Sequence, residues 1–313
     1  MTADAGRFDR IDRFVARYAP GVHILRPPAP RRAIAALPAP LQPVYAWHDG
    51  GELFHGALTI LPAADVVRDA DRWRVADVGR DTIYVDARGA VWRLDGDIGD
   101  WIPDGTSFDR WLDGWLEGEA VLYDRDGEFR DFGVDEAGDL TPQAAVARER
   151  RAHARDRRAA GPWWRLCRAL VRTGQTDAAR AELERLVATH PRFAWAWLDL
   201  ARISAAAGEF AGAADEAMAA AEAAPDGEHT AYFWACAARY ARAAGDEPQR
   251  AACAARALAL APDLARAQRD GAAALARDGD RESAAELVAI ALALAPRDLD
   301  ALALSRALAD DPP

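Results

Sequence analysis

The sequence predicts two parts: an α+β N-terminal domain with a mostly antiparallel sheet, then an all-α solenoid of helical hairpins. The chain has 313 residues, which is long for a single hydrophobic core. Tryptophan, glycine and strand-like alternation occur before about residue 135, whereas alanine-rich helical patterns with a fixed period fill the rest. We therefore expect a domain at 1–135, a linking and capping helix at 136–159, and four hairpins with a C-terminal capping helix at 160–313.

Prolines and glycines mark the period of the C-terminal half. Four prolines lie 34, 37 and 34 residues apart, at Pro191, Pro225, Pro262 and Pro296. A glycine stands 17 residues before each of them, at Gly174, Gly208, Gly245 and Gly279. Each unit is thus predicted to hold one helix that ends at the glycine and a second that ends before the proline. The three extra residues belong to the first helix of the third unit or to the loop before it.

Packing positions within the units follow the same period. The first helices of the two early units begin at Trp163 and Trp197, and position 20 is small in three units, as Ala179, Ala213 and Ala284. The third unit has Arg250 there, which suggests a locally shifted helix. Positions 24 and 27 are apolar in all four units. Over 160–313 the chain resembles the tetratricopeptide repeat, and that resemblance implies a concave protein-binding groove.

Two further helices are expected to cover the ends of this array. The segment after Pro296 is predicted to form a C-terminal cap, with Asp300, Arg306 and Asp310 on its solvated face. At the other end, Thr141 and Pro142 form a helix start, and the arginine-rich helix that follows is predicted to link and cap.

The N-terminal part has its own signals of mixed structure. Residues 5–18 are predicted to form an amphipathic helix, and segments 82–86 and 90–94 to form a hairpin around Gly89. Ser107 is the expected cap of an aromatic helix, and a further hairpin is predicted to turn at Asp126 and Gly127. Together these signals predict an α+β domain.

The N-terminal part also resembles the SUKH superfamily, which includes the yeast Smi and Knr regulators, over residues 25–120. The matching landmarks are Leu37 and Pro38, Tyr45 and Trp47, Asp49 to Gly51, Tyr84 to Asp86, Gly89 to Trp92, and Ser107, Phe108, Trp111 and Leu112. The resemblance implies a mostly antiparallel sheet and no catalytic residues. Many bacterial members are immunity proteins that bind a toxin, often a nuclease, and others are signalling or assembly adaptors.

No pattern of catalytic or metal-binding residues is evident. The six histidines share no metal-ligand spacing with one another or with the three cysteines. Asp95, Asp97 and Asp100, like Asp124 and Asp126, lack the closing glutamate of a calcium loop, and ordinary Asp-Gly turns explain them better. We therefore expect a non-enzyme without cofactor or metal. With no signal sequence, membrane span or disulfide framework apparent, we expect a cytoplasmic protein.

Charge is unevenly distributed along the chain. The formal net charge is −11, which argues against general binding to nucleic acid. Residues 91–140 hold 15 acidic and 4 basic residues, whereas residues 141–180 hold 10 arginines and 3 acidic residues. The acidic segment is a candidate site for a basic toxin, it could dock on the basic part of its own chain, or it is simply solvated.

The register of the repeats places a set of arginine and aromatic residues in the expected groove. Position 9 holds Arg168, Arg202 and Arg239 in three successive units. The neighbouring groove positions are filled by Trp164, Trp195, Tyr232, Arg172, Arg242, Arg266 and Arg269. Arginine forks bind carboxylates and flat aromatic rings add contact area, so the groove is predicted to accept an acidic peptide or protein tail. The alternative is that these arginines are solvated or paired with acidic neighbours.

The combined prediction is a protein-binding protein, either a bacterial immunity protein or an adaptor. The second hypothesis is a scaffold or assembly factor in a signalling or multiprotein complex unrelated to toxins. The partner is expected to be a protein or peptide, acidic where it meets the groove, with no nucleic acid and no membrane involved.

Overall fold

A computed structural model describes residues 6–135 and 140–310, which form two compact units that divide between Ala179 and Arg180. The first unit contains an antiparallel sheet with helices, and the second contains helices. The predicted fold class is therefore confirmed. The domain bounds predicted at 135 and 159 follow the sequence period and stay a prediction.

One sheet organises the first unit. Its strands are β1 (His23–Leu25), β2 (Gly51–Leu53), β3 (Leu58–Ile60), β4 (Val67–Asp69), β5 (Arg72–Val78), β6 (Asp81–Asp86), β7 (Val91–Leu94) and β8 (Trp101–Gly105). They lie in the order β1-β2-β3-β5-β6-β7-β8, with β4 paired to β5, and every pairing is antiparallel. The predicted hairpin around Gly89 is confirmed as β6 and β7.

Helices cover the sheet and complete the core of the first unit. They are α1 (Asp9–Val15), α2 (Arg31–Ala36), α3 (Gln42–Trp47), α4 (Phe108–Glu119), α5 (Pro142–Arg155) and α6 (Ala160–Arg172), with a 3-10 helix at Ala63–Asp65. The apolar residues predicted for the first helix are buried in α1, for example Ile11 and Phe14, although α1 is shorter than the predicted span. Ser107 precedes α4 as predicted, but its side chain makes no capping hydrogen bond.

Two other local predictions have mixed outcomes. Thr141 caps α5, since its hydroxyl accepts a hydrogen bond of 3.2 Å from the Ala144 N–H. The hairpin predicted at Asp126 and Gly127 is reduced to one antiparallel bridge between Tyr123 and Phe129. Asp124 explains the difference, because its side chain accepts the N–H groups of Asp126 and Glu128 and holds this segment as a turn.

The basic helices pair with the acidic segment of the same unit. The Arg148 guanidinium lies 2.9 Å from Glu119, and that of Arg155 lies 2.7 Å from Glu117. Arg165 of α6 reaches Asp104 of β8 at 2.6 Å. Part of the acidic 91–140 segment is thus neutralised by helices α5 and α6. Docking of this segment on the repeat groove stays a prediction.

The helical repeats continue into the second unit. After α7 (Thr176–Thr189), which spans the division, come α8 (Ala194–Ala206), α9 (Phe210–Ala223), α10 (Thr230–Ala244), α11 (Glu247–Leu260), α12 (Leu264–Arg277), α13 (Arg281–Leu294) and α14 (Leu299–Asp310). The four predicted glycines have φ between +74° and +89°, which suits the end of each first helix. Asp300 and Arg306 of α14 are exposed, as predicted for a cap, and the Asp310 side chain lies outside the described residues.

Arg250 contacts a later helix from the position where the other units have alanine. It is buried in α11, and its Nη1 donates a hydrogen bond of 2.6 Å to the Ala293 carbonyl of α13. Its other nitrogens donate to Glu247. The large side chain is accommodated because α13 packs against α10 and α11. The locally shifted helix expected there stays a prediction.

Candidate protein-binding groove

Three of the predicted groove residues belong to α6, in the first unit. The Trp164 side chain is buried, with 2% exposed, and the guanidinium of Arg168 lies 4.9 Å from the centre of its ring. Arg172 is exposed at the end of the helix. Trp164 is thus a packing residue, and the Arg168 guanidinium lies against one face of its ring.

A groove of about 560 Å³ opens in the second unit among α8, α10 and α13. Its lining residues are Arg202, Ala205, Ala206, Phe210, Arg239, Tyr240, Arg242, Ala243, Glu286 and Ala289. Three of the ten predicted residues meet here, namely Arg202, Arg239 and Arg242. The small alanine side chains leave space between the helices. The guanidinium groups and the Phe210 ring, which is 36% exposed, are therefore accessible in the groove.

Arg202 is held by a neighbour on its own helix. Its Nη1 donates a hydrogen bond of 2.9 Å to Asp199, a residue with only 8% exposure. Burial is the largest single influence on Arg202 and opposes its charge, but Asp199, Tyr232 and Cys236 together outweigh burial and raise the pKa of the guanidinium. Arg202 is therefore a fixed positive charge at the groove wall.

Arg239 is paired across the groove. Its Nη1 donates to Glu286 of α13 at 2.8 Å, and its guanidinium lies 5.3 Å from the centre of the Tyr240 ring. Sequence reasoning missed Glu286 because the repeat register assigns the groove to first helices, and α13 is a second helix. The 34-residue period of the sequence does not indicate that α13 contacts α10.

Arg242 is the most accessible cation of the groove. Among the described residues it makes no hydrogen bond and no ion pair, and it is exposed in the last turn of α10. The lining thus holds three arginines against one glutamate, in a chain whose formal net charge is −11. The geometry suits a ligand that brings carboxylates.

Trp195 and Tyr232 pack elsewhere in the second unit. The Trp195 ring is buried against His229 and Phe233, with centroid distances of 5.2 and 5.1 Å. Tyr232 lies beside Cys236, and the developing charge of that thiol together with burial raises the pKa of the phenol. Burial raises the pKa of Cys236 to about 11. Neither residue is among those that line the groove. Trp195 supports the helix packing, whereas the partly buried Tyr232 interacts electrostatically with Arg202 and Glu286.

Arg266 and Arg269 lie on α12, outside the groove lining. Arg266 is 3.1 Å from Asp263, and Arg269 is 2.9 Å from Asp270 and 3.0 Å from Asp298. Pairing with acidic neighbours, the alternative that the sequence leaves open, thus describes these two residues as it does Arg202 and Arg239.

The described residues contain no group of three His, Cys, Asp or Glu side chains arranged to hold a metal ion. None of the described helices combines the length and the hydropathy that crossing a membrane requires. The cysteines at 167, 236 and 253 are buried and form no disulfide.

Comparison with known proteins supports the repeat half of the chain. Residues 160–203 match the family model of the tetratricopeptide repeat, and the match does not extend to the N-terminal sheet. No curated protein matches the chain. The match identifies residues 160–203 as tetratricopeptide repeat sequence, and the paired helices with glycine ends continue beyond it as a solenoid of the same kind of hairpin.

Several solved repeat proteins are similar over about half of the chain. A tetratricopeptide protein of Thermus thermophilus is 21% identical, with 54% of this chain and 91% of that chain covered and a TM-score of 0.37. YrrB, described as having an unusual peptide-binding site, is 16% identical, with 53% and 84% covered and a TM-score of 0.35. MamA of Desulfovibrio magneticus RS-1 is 15% identical, with 50% and 88% covered and a TM-score of 0.35.

Proposed function

We propose that this chain is a non-enzymatic protein-binding protein and that its groove between α8, α10 and α13 takes an acidic segment of a partner. The observation that carries the proposal is the groove lining in an otherwise acidic chain, where three arginines lie beside the exposed Phe210 ring and two of them are paired with Asp199 and Glu286. Guanidinium groups beside aromatic rings are typical of the residues that dominate binding energy at protein interfaces.

The three arginines have different parts in this proposal. Arg242 is exposed and, among the described residues, makes no hydrogen bond and no ion pair, so it is the first contact. Arg202 and Arg239 already hold Asp199 and Glu286, so a ligand carboxylate shares their remaining donors. A contact with the Phe210 ring, which is 36% exposed, then favours an acidic segment that also contains an apolar residue.

The N-terminal sheet and the acidic balance favour the finer hypothesis of a cytoplasmic bacterial immunity or adaptor protein. It treats 1–135 as a SUKH-like domain, 136–159 as a linker and 160–313 as the repeats, with a toxin bound at the first. The antiparallel sheet followed by the aromatic helix α4 supports the SUKH resemblance. The alternative, a scaffold unrelated to toxins, is supported by the repeats alone.

The groove is tested with a fluorescein-labelled decapeptide of Asp and Glu around one Leu, against the same peptide with Asn and Gln. We expect the full chain to bind only the acidic peptide, and affinity to fall with added salt. Arg242→Glu should weaken binding about tenfold or more, because it removes the accessible cation and adds a repulsive charge. Fluorescence anisotropy measures each dissociation constant.

The matched control is Arg266→Glu, which makes the same charge change on an exposed arginine outside the groove. Affinity within about twofold of wild type is expected there, since the site is unchanged. An equal loss of affinity in both variants would show that binding depends only on the net charge of the protein. Equal binding of the acidic and neutral peptides, or binding of neither, would contradict the proposal.

A further inference from the structure

Helix α13 carries one acidic residue within an otherwise apolar stretch. From Ser283 to Leu294, Glu286 is the only charged residue, and residues 290–294 are all buried. A charged side chain on such a helix costs stability unless it faces water or has a partner. The position of Glu286 therefore points to a specific contact.

The junction between the third and fourth hairpins brings Glu286 to the groove. At the junction before it, α10 packs on α9, the second helix of the preceding hairpin. At the third junction α12 packs mainly on α13, and α13 packs on α10 and α11. The buried Arg250 supports this arrangement through its hydrogen bond of 2.6 Å to the Ala293 carbonyl. A second helix thus lies beside α10, where the sequence period predicts a first helix.

Glu286 meets the groove as the carboxylate of a ligand would. Its Oε1 accepts a hydrogen bond of 2.8 Å from Nη1 of Arg239. Arg239 and Arg242 are three residues apart on α10 and share one face, and both line the groove together with Glu286. Glu286 therefore takes up one donor that an acidic partner would use, and it adds a negative charge to the site.

The pair between Arg239 and Glu286 is open to exchange. Their side chains are 28% and 37% exposed. Ion pairs that water and salt reach this easily add little to stability, so the pair can be broken at small cost. Burial of Ile290 and Leu292 holds α13 in place with or without it.

We propose that Glu286 is a built-in competitor of the groove and lowers its affinity for acidic partners. The inference rests on the proposed function, because it concerns the same groove. A bound acidic segment brings its carboxylates close to Glu286 and competes with it for Arg239. Because that competition is paid in every complex, the groove holds its partner reversibly and releases it readily.

The test variant is Glu286→Gln, which keeps the size of the side chain and removes its charge. We expect it to raise the affinity of the full chain for the acidic decapeptide about three- to tenfold, measured by fluorescence anisotropy. The matched control is Glu282→Gln, the same charge change at an exposed residue of α13 outside the groove lining. Its affinity should stay within about twofold of wild type. Circular dichroism checks that each variant is folded.

A double-mutant cycle with Arg239→Gln tests whether Glu286 acts through Arg239. Without Arg239 there is no donor to compete for, so Glu286→Gln should then raise affinity by less than about twofold. A gain of the full size in the absence of Arg239 would show that no such competition takes place and would overturn the proposal.

Failure of this inference can be distinguished from failure of the proposed function. If the wild type binds the acidic decapeptide and Glu286→Gln binds it equally or more weakly, Glu286 is not a competitor, while the groove remains a binding site. An equal gain in Glu286→Gln and Glu282→Gln would also overturn the proposal, since net charge alone would then explain both. If neither the wild type nor Glu286→Gln binds the peptide, both the inference and the proposed function are contradicted.

Discussion

At the scale of single residues, His23 shows how an aromatic environment controls a charge. Its Nδ1 accepts a hydrogen bond of 3.3 Å from the Phe54 N–H, and its ring meets Phe54 at 4.6 Å and Tyr18 at 4.8 Å. Its Nε2 is buried without a partner among the described residues. Burial, followed by repulsion from His55, lowers the pKa of His23 to about 4.

The low pKa predicts a loss of stability in mild acid. In the unfolded chain His23 binds a proton near pH 6.5, whereas in the folded chain it stays neutral down to about pH 4. The free energy of unfolding therefore falls as the pH is lowered from about 6.5 to about 4. His23→Leu should remove this pH-dependent part of the free energy of unfolding. We expect it to be on the order of 1 kcal/mol, because water reaches part of the ring and weakens the effect. Urea unfolding of both chains from pH 7 to 4.5 measures it. Parallel pH profiles for the two would show that His23 does not contribute.

At the scale of elements, helix α6 stabilises the sheet of the first unit. Asp104 of β8 is fully buried, and Arg165 of α6 supplies its closest contact, at 2.6 Å. Burial tends to raise the pKa of this carboxyl, but Arg165 and Arg93 outweigh burial and lower it. Gly161 permits the approach, because a Cβ there would meet the Asp104 carboxylate and the Ile102 side chain.

This contact predicts where the chain can be cut. A truncated chain of residues 1–159 lacks α6 and leaves Asp104 with one cation fewer, whereas 1–173 keeps the helix. Loss of a buried ionic partner costs about 3–5 kcal/mol, so we expect 1–159 to melt at least about 10 °C below 1–173. Thermal unfolding followed by circular dichroism measures the difference.

Point variants of the full chain check the same contact. Arg165→Met should destabilise the first unit, while Arg168→Met, on the exposed side of the same helix, should change its stability little. Equal melting temperatures for the two truncated chains, or equal effects of the two variants, would show that α6 is not part of the sheet unit.

At the scale of the whole molecule, periodic features were predictable and contacts between distant elements were not. The 34-residue period and the glycines fixed the helix pairs, and the alternation at 82–94 fixed a hairpin. The docking of α6 on β8 depends on Arg165 and Asp104, which are 61 residues apart and have no local signal. Glu286 enters the groove for the same reason, from a helix that the repeat register places elsewhere.

The candidate site was predictable to a similar degree. Arg202, Arg239 and Arg242 line one groove, Arg239 and Arg242 because residues three apart share a helix face and Arg202 from the preceding repeat. Their role in binding stays a prediction. The helical register gave no information on burial. In the structure Trp164 and Trp195 are buried, so neither is part of an exposed binding surface. Nor did the register reveal which aromatic residues of the sheet are neighbours, such as Tyr84 and Trp92, which come together only through strand pairing.

We propose that the groove between α8, α10 and α13 binds an acidic segment. Amide hydrogen exchange of the full chain, with and without the acidic decapeptide, locates the bound peptide. We expect slower exchange in the last turns of α8 and α10 and around Glu286, with β5 to β8 unchanged. Slowing that is absent from these helices, or that appears only in the first unit, would contradict it.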